Sequence, residues 1–194
     1  MRKIFIVFFV LYTIPGIGQD LINWDGKYEL QLSDFQSPAT QIGSGNVIMI
    51  QAAAHMDFSY HMSNYEFMFT KSFNSKVNCI FRRNSSSIVA PDQPTALYLL
   101  DYARYKFDLN ELYCRKLRKR IFEEKGTFSD PKFFQPIFDD IQKQLVQEGT
   151  DAGKLTELGK DTEKIRFLRS EAQKHIQELS DFCKTCKPRK KTRP

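Results

Sequence analysis

From Pro94 to Ile121 apolar side chains return at steps of three, four or, once, seven: Leu97, Leu100, Ala103, Phe107, Cys114, Leu117 and Ile121. A stripe that repeats every 3.6 residues over about seven turns is the signature of one long helix. Pro94 or Thr95 suits its start and Gly126 its stop. The remaining elements must be arranged around this helix.

Two more helices follow. One is expected from about Phe134 to Gln147, with Ile137, Ile141 and Leu145 aligned and Gly149 as its stop. The other runs from about Lys154 to Phe182. Leu155, Leu158, Thr162, Ile165, Arg169, Ala172, Ile176 and Leu179 alternate at three and four residues there, a seam with one charged interruption. It suits packing on the first helix, or pairing with a second copy. Upstream, residues 46 to 62 alternate with period two, placing Met56, Phe58, Tyr60 and Met62 on one face and His55, Asp57, Ser59 and His61 on the other. Tyr65, Phe67, Phe69 and Phe73 continue the pattern, then Val77, Cys79 and Phe81. Three such runs predict an antiparallel meander with one aromatic face. Leu30 to Phe35 is read as an earlier strand or extended arm, and the stretch from Asn84 to Pro94 as a loop.

The first 18 residues read as a secretory signal: Arg2 and Lys3, an apolar run from Ile4 to Ile14, and small residues in Gly16-Ile17-Gly18 before Gln19. Its removal takes two of the six net positive charges and leaves 176 of 194 residues, the size of one domain. Residues 19–183 are then a single domain and 184–194 a basic disordered tail carrying Lys184, Lys187, Arg189, Lys190, Lys191 and Arg193. Export to the periplasm or the medium is expected, with no membrane-spanning segment after processing and no nucleic-acid partner. Four cysteines in an oxidising compartment allow three pairings, which sequence does not rank. Cys183-Lys184-Thr185-Cys186 trails a helix instead of opening one, so its CxxC spacing suits a local or structural bridge better than a redox centre.

Other candidate chemistry is thin. Six residues of strand put His55 and His61 about 20 Å apart, too far to share a metal. His175 has only Glu171 and Glu178 nearby and fits a salt bridge on a helix flank. Gly43-Ser44-Gly45 lies outside any βαβ unit and is a turn. Asp139-Asp140 and the Asp161–Glu163 segment read as solvated helix faces. In the first long helix, Asp108, Glu111 and Arg115 sit three and four residues apart and can pair, and a basic run from Arg115 to Arg120 follows. They read either as a charged outer face or as the lining of a binding groove.

The run Phe107-Asp108-Leu109-Asn110-Glu111-Leu112-Tyr113-Cys114-Arg115-Lys116-Leu117-Arg118-Lys119 resembles the hallmark of a family of exported bacterial proteins of unknown function, regarded as zinc-dependent proteases. In that pattern His-Glu-x-x-His-Phe-Asp-Ile leads into Glu-Leu-Tyr-Ala-Arg-Lys-Leu-Arg-Lys. Phe107, Asp108, Glu111, Leu112, Tyr113, Arg115, Leu117 and Arg118 match it. Leu32-Ser33-Asp34-Phe35, the segment with Lys71-Ser72-Phe73 and Gln173-x-x-Ile176 are similar in placement. The resemblance implies a zinc helix, with two His one turn apart on one ion and a Glu polarising its water. Here those positions are Tyr102, Lys106 and Ala103, and a later expected His falls near Lys164. None can ligate zinc or serve as base at neutral pH.

The sequence thus predicts an α+β fold: a small antiparallel sheet of three or four strands, then about three helices, the long first one carrying the degenerate motif. It predicts no cofactor, no catalytic residue and no metal ligand. The expected role is non-catalytic, a binding or scaffold protein of the cell envelope that takes a peptide, protein or envelope component. Two alternatives stand beside it: a metal-independent hydrolase using Tyr102 and Lys106 as an acid-base pair, and a structural protein dimerising through its last helix.

Overall fold

Asp92 starts the central helix by accepting a hydrogen bond from the Thr95 amide at 2.8 Å, with Pro94 in the first turn where a missing N–H costs nothing. In the computed structural model, which describes residues 20–58, 62–126 and 131–188, this helix spans Gln93–Glu124 and the fold is α+β, as expected. Residues 1–19, which include the stretch read as a secretory signal, Ser59, Tyr60, His61 and the tail beyond residue 188 lie outside the described residues. The chain builds strands β1 (Leu21–Asn23), β2 (Gln41–Ile42), β3 (Met49–Gln51), β4 (Ala54–Phe58), β5 (Val77–Arg82) and β6 (Ser87–Ala90). Its helices are α1 (Asn64–Phe69), α2 (Gln93–Glu124), α3 (Phe134–Leu155) and α4 (Thr162–Glu178).

Two small sheets replace the expected meander. One is antiparallel, ordered β1-β5-β4, with Met56 opposite Cys79 and Phe58 opposite Val77. The other is mixed, ordered β2-β6-β3, with β2 parallel to β6. The alternating run from 46 breaks at Ala52 and Ala53, so β3 and β4 join different sheets; the Ala53 amide donates to Ser86 Oγ at 3.0 Å. Strand β6 lies inside the segment read as a loop: its Ile88 and Ala90 are buried in the core, while serines dominate the composition just before them. Leu30 to Phe35 is no strand: a 3-10 turn at Leu32–Asp34 buries Asp34, which accepts from Tyr28 Oη and the Gln31 amide and pairs with Arg83.

The aromatic run from Tyr65 is helical, not extended. Ser63 Oγ accepts from the Glu66 amide at 3.1 Å and caps α1. Phe67 and Phe73 then pack on Phe134 at ring separations of 5.4 and 5.1 Å, while Tyr65 and Phe69 stack on each other at the surface. Helix α3 continues through Gly149 to Leu155, past its predicted stop, and α4 begins at Thr162, where Asp161 caps it. Residue 155 is consequently exposed at the end of α3, while Ile165, Ala172 and Ile176 are buried along α4, which packs on α2. Among the described residues no helix is long and apolar enough to cross a membrane.

From Phe107 to Arg115 every residue of α2 is buried. The helix is enclosed by β5 and β4, by α3 and by α4, so it has no charged outer face there. Leu97, counted in its apolar stripe, is 49% exposed near the start.

Candidate functional site

The polar residues of α2 point in three directions, and each meets a different environment. Tyr102 and Lys106 turn toward α3 and β4. Tyr102 Oη donates to the Gly149 carbonyl at 3.0 Å, and burial raises its pKa. Among the described residues Lys106 makes no ion pair, and burial lowers the pKa of its amine. Both line a cavity of about 220 Å³ with His55 and Asn110. Ala103 is fully buried in the core. The three positions at which a zinc helix carries its ligands and base therefore hold a packed phenol, a methyl group and an unpaired amine.

Asp108 and Arg115 turn toward the N-terminal segment and α4, where a larger cavity of about 580 Å³ opens. Asp108 organises its floor. One carboxylate oxygen accepts from Trp24 Nε1 at 2.8 Å; the other accepts from Arg169 Nε at 2.8 Å and Gln173 Nε2 at 3.0 Å. Arg169 reaches on to Glu29 at 2.9 Å, and the Arg115 guanidinium lies 5.5 Å from the Trp24 ring centre, within cation–π range. Two segments far apart in sequence, that of Trp24 and helix α4, thus converge on a single carboxylate of α2. Trp24 and Glu29 were not singled out by sequence and Gln173 entered only through a resemblance in placement, whereas Arg169 was visible as the charged break in the α4 seam, and its partner explains the break.

Glu111 does not reach that groove. It is 3% exposed and faces β5, where Arg115 Nε and Arg118 Nη1 each donate to Oε1 at 2.9 Å. Asp108 and Arg115 do not pair; their partners are Arg169 and Glu111. Arg118 also donates to the Val77 carbonyl at 2.8 Å and the Phe182 carbonyl at 3.0 Å, which ties β5 to the 3-10 turn after α4. That turn is followed by a Cys183–Cys186 disulfide, whose two carbonyls accept from Asn74 Nδ2. His175 pairs with Glu178 on the α4 surface.

Beside Glu111 lie the thiols of Cys79 and Cys114, the three donor groups falling within 4.8 Å of one another. Sulfur and carboxylate are zinc ligands, and Glu111-x-x-Cys114 spans one helical turn. The chemistry of this set opposes a cation. Two guanidiniums already occupy the carboxylate, burial pushes the Cys79 thiol well up, and each sulfur donates to a backbone carbonyl, Phe107 or Asn78. Buried protonated thiols are inert. Native protein should therefore leave both unlabelled by a thiol-specific reagent over minutes. Two thiols per chain should react after unfolding without reductant; labelling of the folded protein would contradict the packing.

Comparison with models of protein families, with curated proteins and with solved structures returns no match. No family is thereby shown.

Proposed function

We propose that this chain is an exported, non-catalytic binding or scaffold protein of the cell envelope, related to the zinc-protease-like family it resembles, and that it binds a peptide or polar envelope component in the cavity beside Trp24. The observation that carries this reading is the convergence of Trp24, Arg169 and Gln173 on buried Asp108. Such a network fixes polar groups and an aromatic ring in place at an open cavity, which suits recognition. The basic start and short apolar run of the chain support export.

Trp24 is the chain's sole tryptophan and so an internal reporter. Titration with short peptides and with envelope glycan fragments should give a saturable change in its fluorescence for at least one class. Gln173→Ala should weaken that response. Absence of any response, or one that Gln173→Ala leaves unchanged, would sink the reading. Metal analysis of the purified chain should return substoichiometric zinc; one ion per chain, lost in Cys114→Ser, would transfer the function to the thiol cluster.

One observation bears on the hydrolase alternative: Lys106 is desolvated, as a lysine acting as a base must be. Its partner is poorly suited, because the Tyr102 hydroxyl is committed to the Gly149 carbonyl. Casein turnover abolished by Tyr102→Phe would favour that alternative. For dimerisation through the last helix, the seam residues Ile165, Ala172 and Ile176 are already covered within the chain.

A further inference from the structure

We infer that the outer face of α1 docks on an anionic lipid surface, entering the headgroup layer with Tyr65, Met68 and Phe69. This contact does not depend on the Trp24 cavity, which α1 does not line. Positions 65, 68 and 69 are one turn apart and share one side of the helix. Their side chains are 73%, 62% and 71% exposed. A protein surface seldom gathers large apolar side chains in one place, and a patch of them marks a contact.

The short helix is anchored from below and presents this side outward. Ser63 caps its start, and Phe67, its buried residue, packs on Phe73 and Phe134. The Tyr65 and Phe69 rings lie 4.6 Å apart and form one aromatic tip. The tip projects from the surface and lines neither cavity described above. A projecting tip of this composition suits the headgroup boundary, where amphipathic rings settle with one end wet and apolar side chains reach the acyl chains.

Charge selects the occupant. Lys71, two residues beyond the tip, holds its ammonium 5.1 Å from the Phe122 ring centre, and Lys125 holds its own 4.7 Å from that of Phe67. Neither pairs with a carboxylate among the described residues. Burial and then the Lys71 ammonium lower the pKa of the Lys125 amine, so the two cations lie near enough to repel. Glu66, the acidic residue of α1, is already matched by Lys76 at 2.8 Å. Two cations beside an apolar tip complement anionic headgroups above a hydrocarbon layer. An acidic polymer would pair with the lysines but leave the tip in water.

Vesicle flotation tests the contact. The chain from Gln19 onward retains every described element and lacks the apolar run Ile4–Ile14, which would itself enter lipid. It should float with phosphatidylglycerol vesicles and not with phosphatidylcholine vesicles. Tyr65→Ser combined with Phe69→Ser should weaken partitioning at least about tenfold. Lys71→Gln combined with Lys125→Gln should weaken it at least about tenfold as well. Both serine positions are exposed, so that variant should keep the parent's circular dichroism and melting temperature. If the double lysine variant does not fold, Lys71→Gln alone should cost about fivefold. The inference is overturned by absence of vesicle binding or by equal binding to the neutral vesicles. Binding that the serine variant leaves unchanged also overturns it and would place the contact on the basic tail. So does a dimer that the serine variant dissociates in sedimentation while vesicles bind neither protein, which would give the face to a second copy.

Discussion

Replacing Glu111 with alanine is expected to destabilise the protein by about 3–5 kcal/mol, the usual cost of breaking a buried ion pair on one side. The side chains of Glu111, Arg115 and Arg118 are 4%, 9% and 1% exposed, so solvent does not screen what is left behind. Alanine would strand two guanidiniums on the core side of α2. Both still bond carbonyls: Arg115 donates to those of Ile176 and Leu179, and Arg118 to those of Val77 and Phe182. The Ile176 carbonyl lies in the last turn of α4, where carbonyls lack helical partners and a cation is favoured by the helix dipole. Those bonds hold the arginines in place and prevent their escape to water. Urea unfolding should show a lower midpoint at unchanged slope. A triple variant, Glu111→Leu with Arg115→Met and Arg118→Met, should recover most of the loss, since apolar replacement of a whole buried ionic cluster is often neutral or better. A loss below about 1 kcal/mol for Glu111→Ala would mean that the cluster is solvated in solution, as exposed pairs worth that little are.

This cluster also shows where sequence reading stops. The start and end of α2 were legible to within two residues because Pro94 and Gly126 are local signals, although the cap at Asp92 was not read. The fate of its charges was not legible, because spacing states which residues share a face and says nothing of what covers that face. Asp108 is buried for the sake of Trp24, 84 residues away, and Arg169, 61 residues away. The seam of α4 was visible from Ile165 to Ile176, and the break at Arg169 held the information about Asp108 without naming the partner. Helix α1 was missed for a different reason. Aromatics at 65, 67, 69 and 73 satisfy a strand period, yet Ser63-x-x-Glu66 is a helix-start signature, and the cap prevailed. Strand β6 was hidden by the serines that lead into it; Ser86, just before the strand, and Ser87, its first residue, are both buried, with Ser86 bonded to the neighbouring backbone. The small cavity was out of reach altogether. Lys106 was visible as a motif position, but its lack of an ion pair among the described residues is a property of the packed molecule.

Glycine at 149 was read as a helix stop, and the reason it is not one leads to a pair of substitutions with opposite sign. At Gly149, inside α3, an added methyl would meet only Leu109 Cδ2 at 3.8 Å, an ordinary contact. Gly149→Ala should therefore stabilise by about 0.5–1 kcal/mol through helix propensity. Gly159, in the turn between α3 and α4, has φ +96°, and its added methyl would lie 2.4 Å from the Tyr98 carbonyl oxygen and 3.1 Å from Tyr102 Cβ. That oxygen belongs to the backbone of α2 and cannot yield without displacing the helix. Backbone strain and overpacking together put the expected loss for Gly159→Ala at about 2–5 kcal/mol. The turn has little slack to absorb it: Glu157 and Leu158 are already at positive φ, and amides 158, 159 and 161 are all committed to carbonyls of residues 153 and 156. Thermal melts of the two variants should move apart in opposite directions. Tyr102, standing where a zinc helix would carry histidine, fills the space between this turn and α3, but it is not the nearest obstacle. Trimming it in a Gly159→Ala, Tyr102→Ala double variant should not restore stability, and a double variant as stable as the parent would place the obstruction at the phenol instead of the Tyr98 carbonyl.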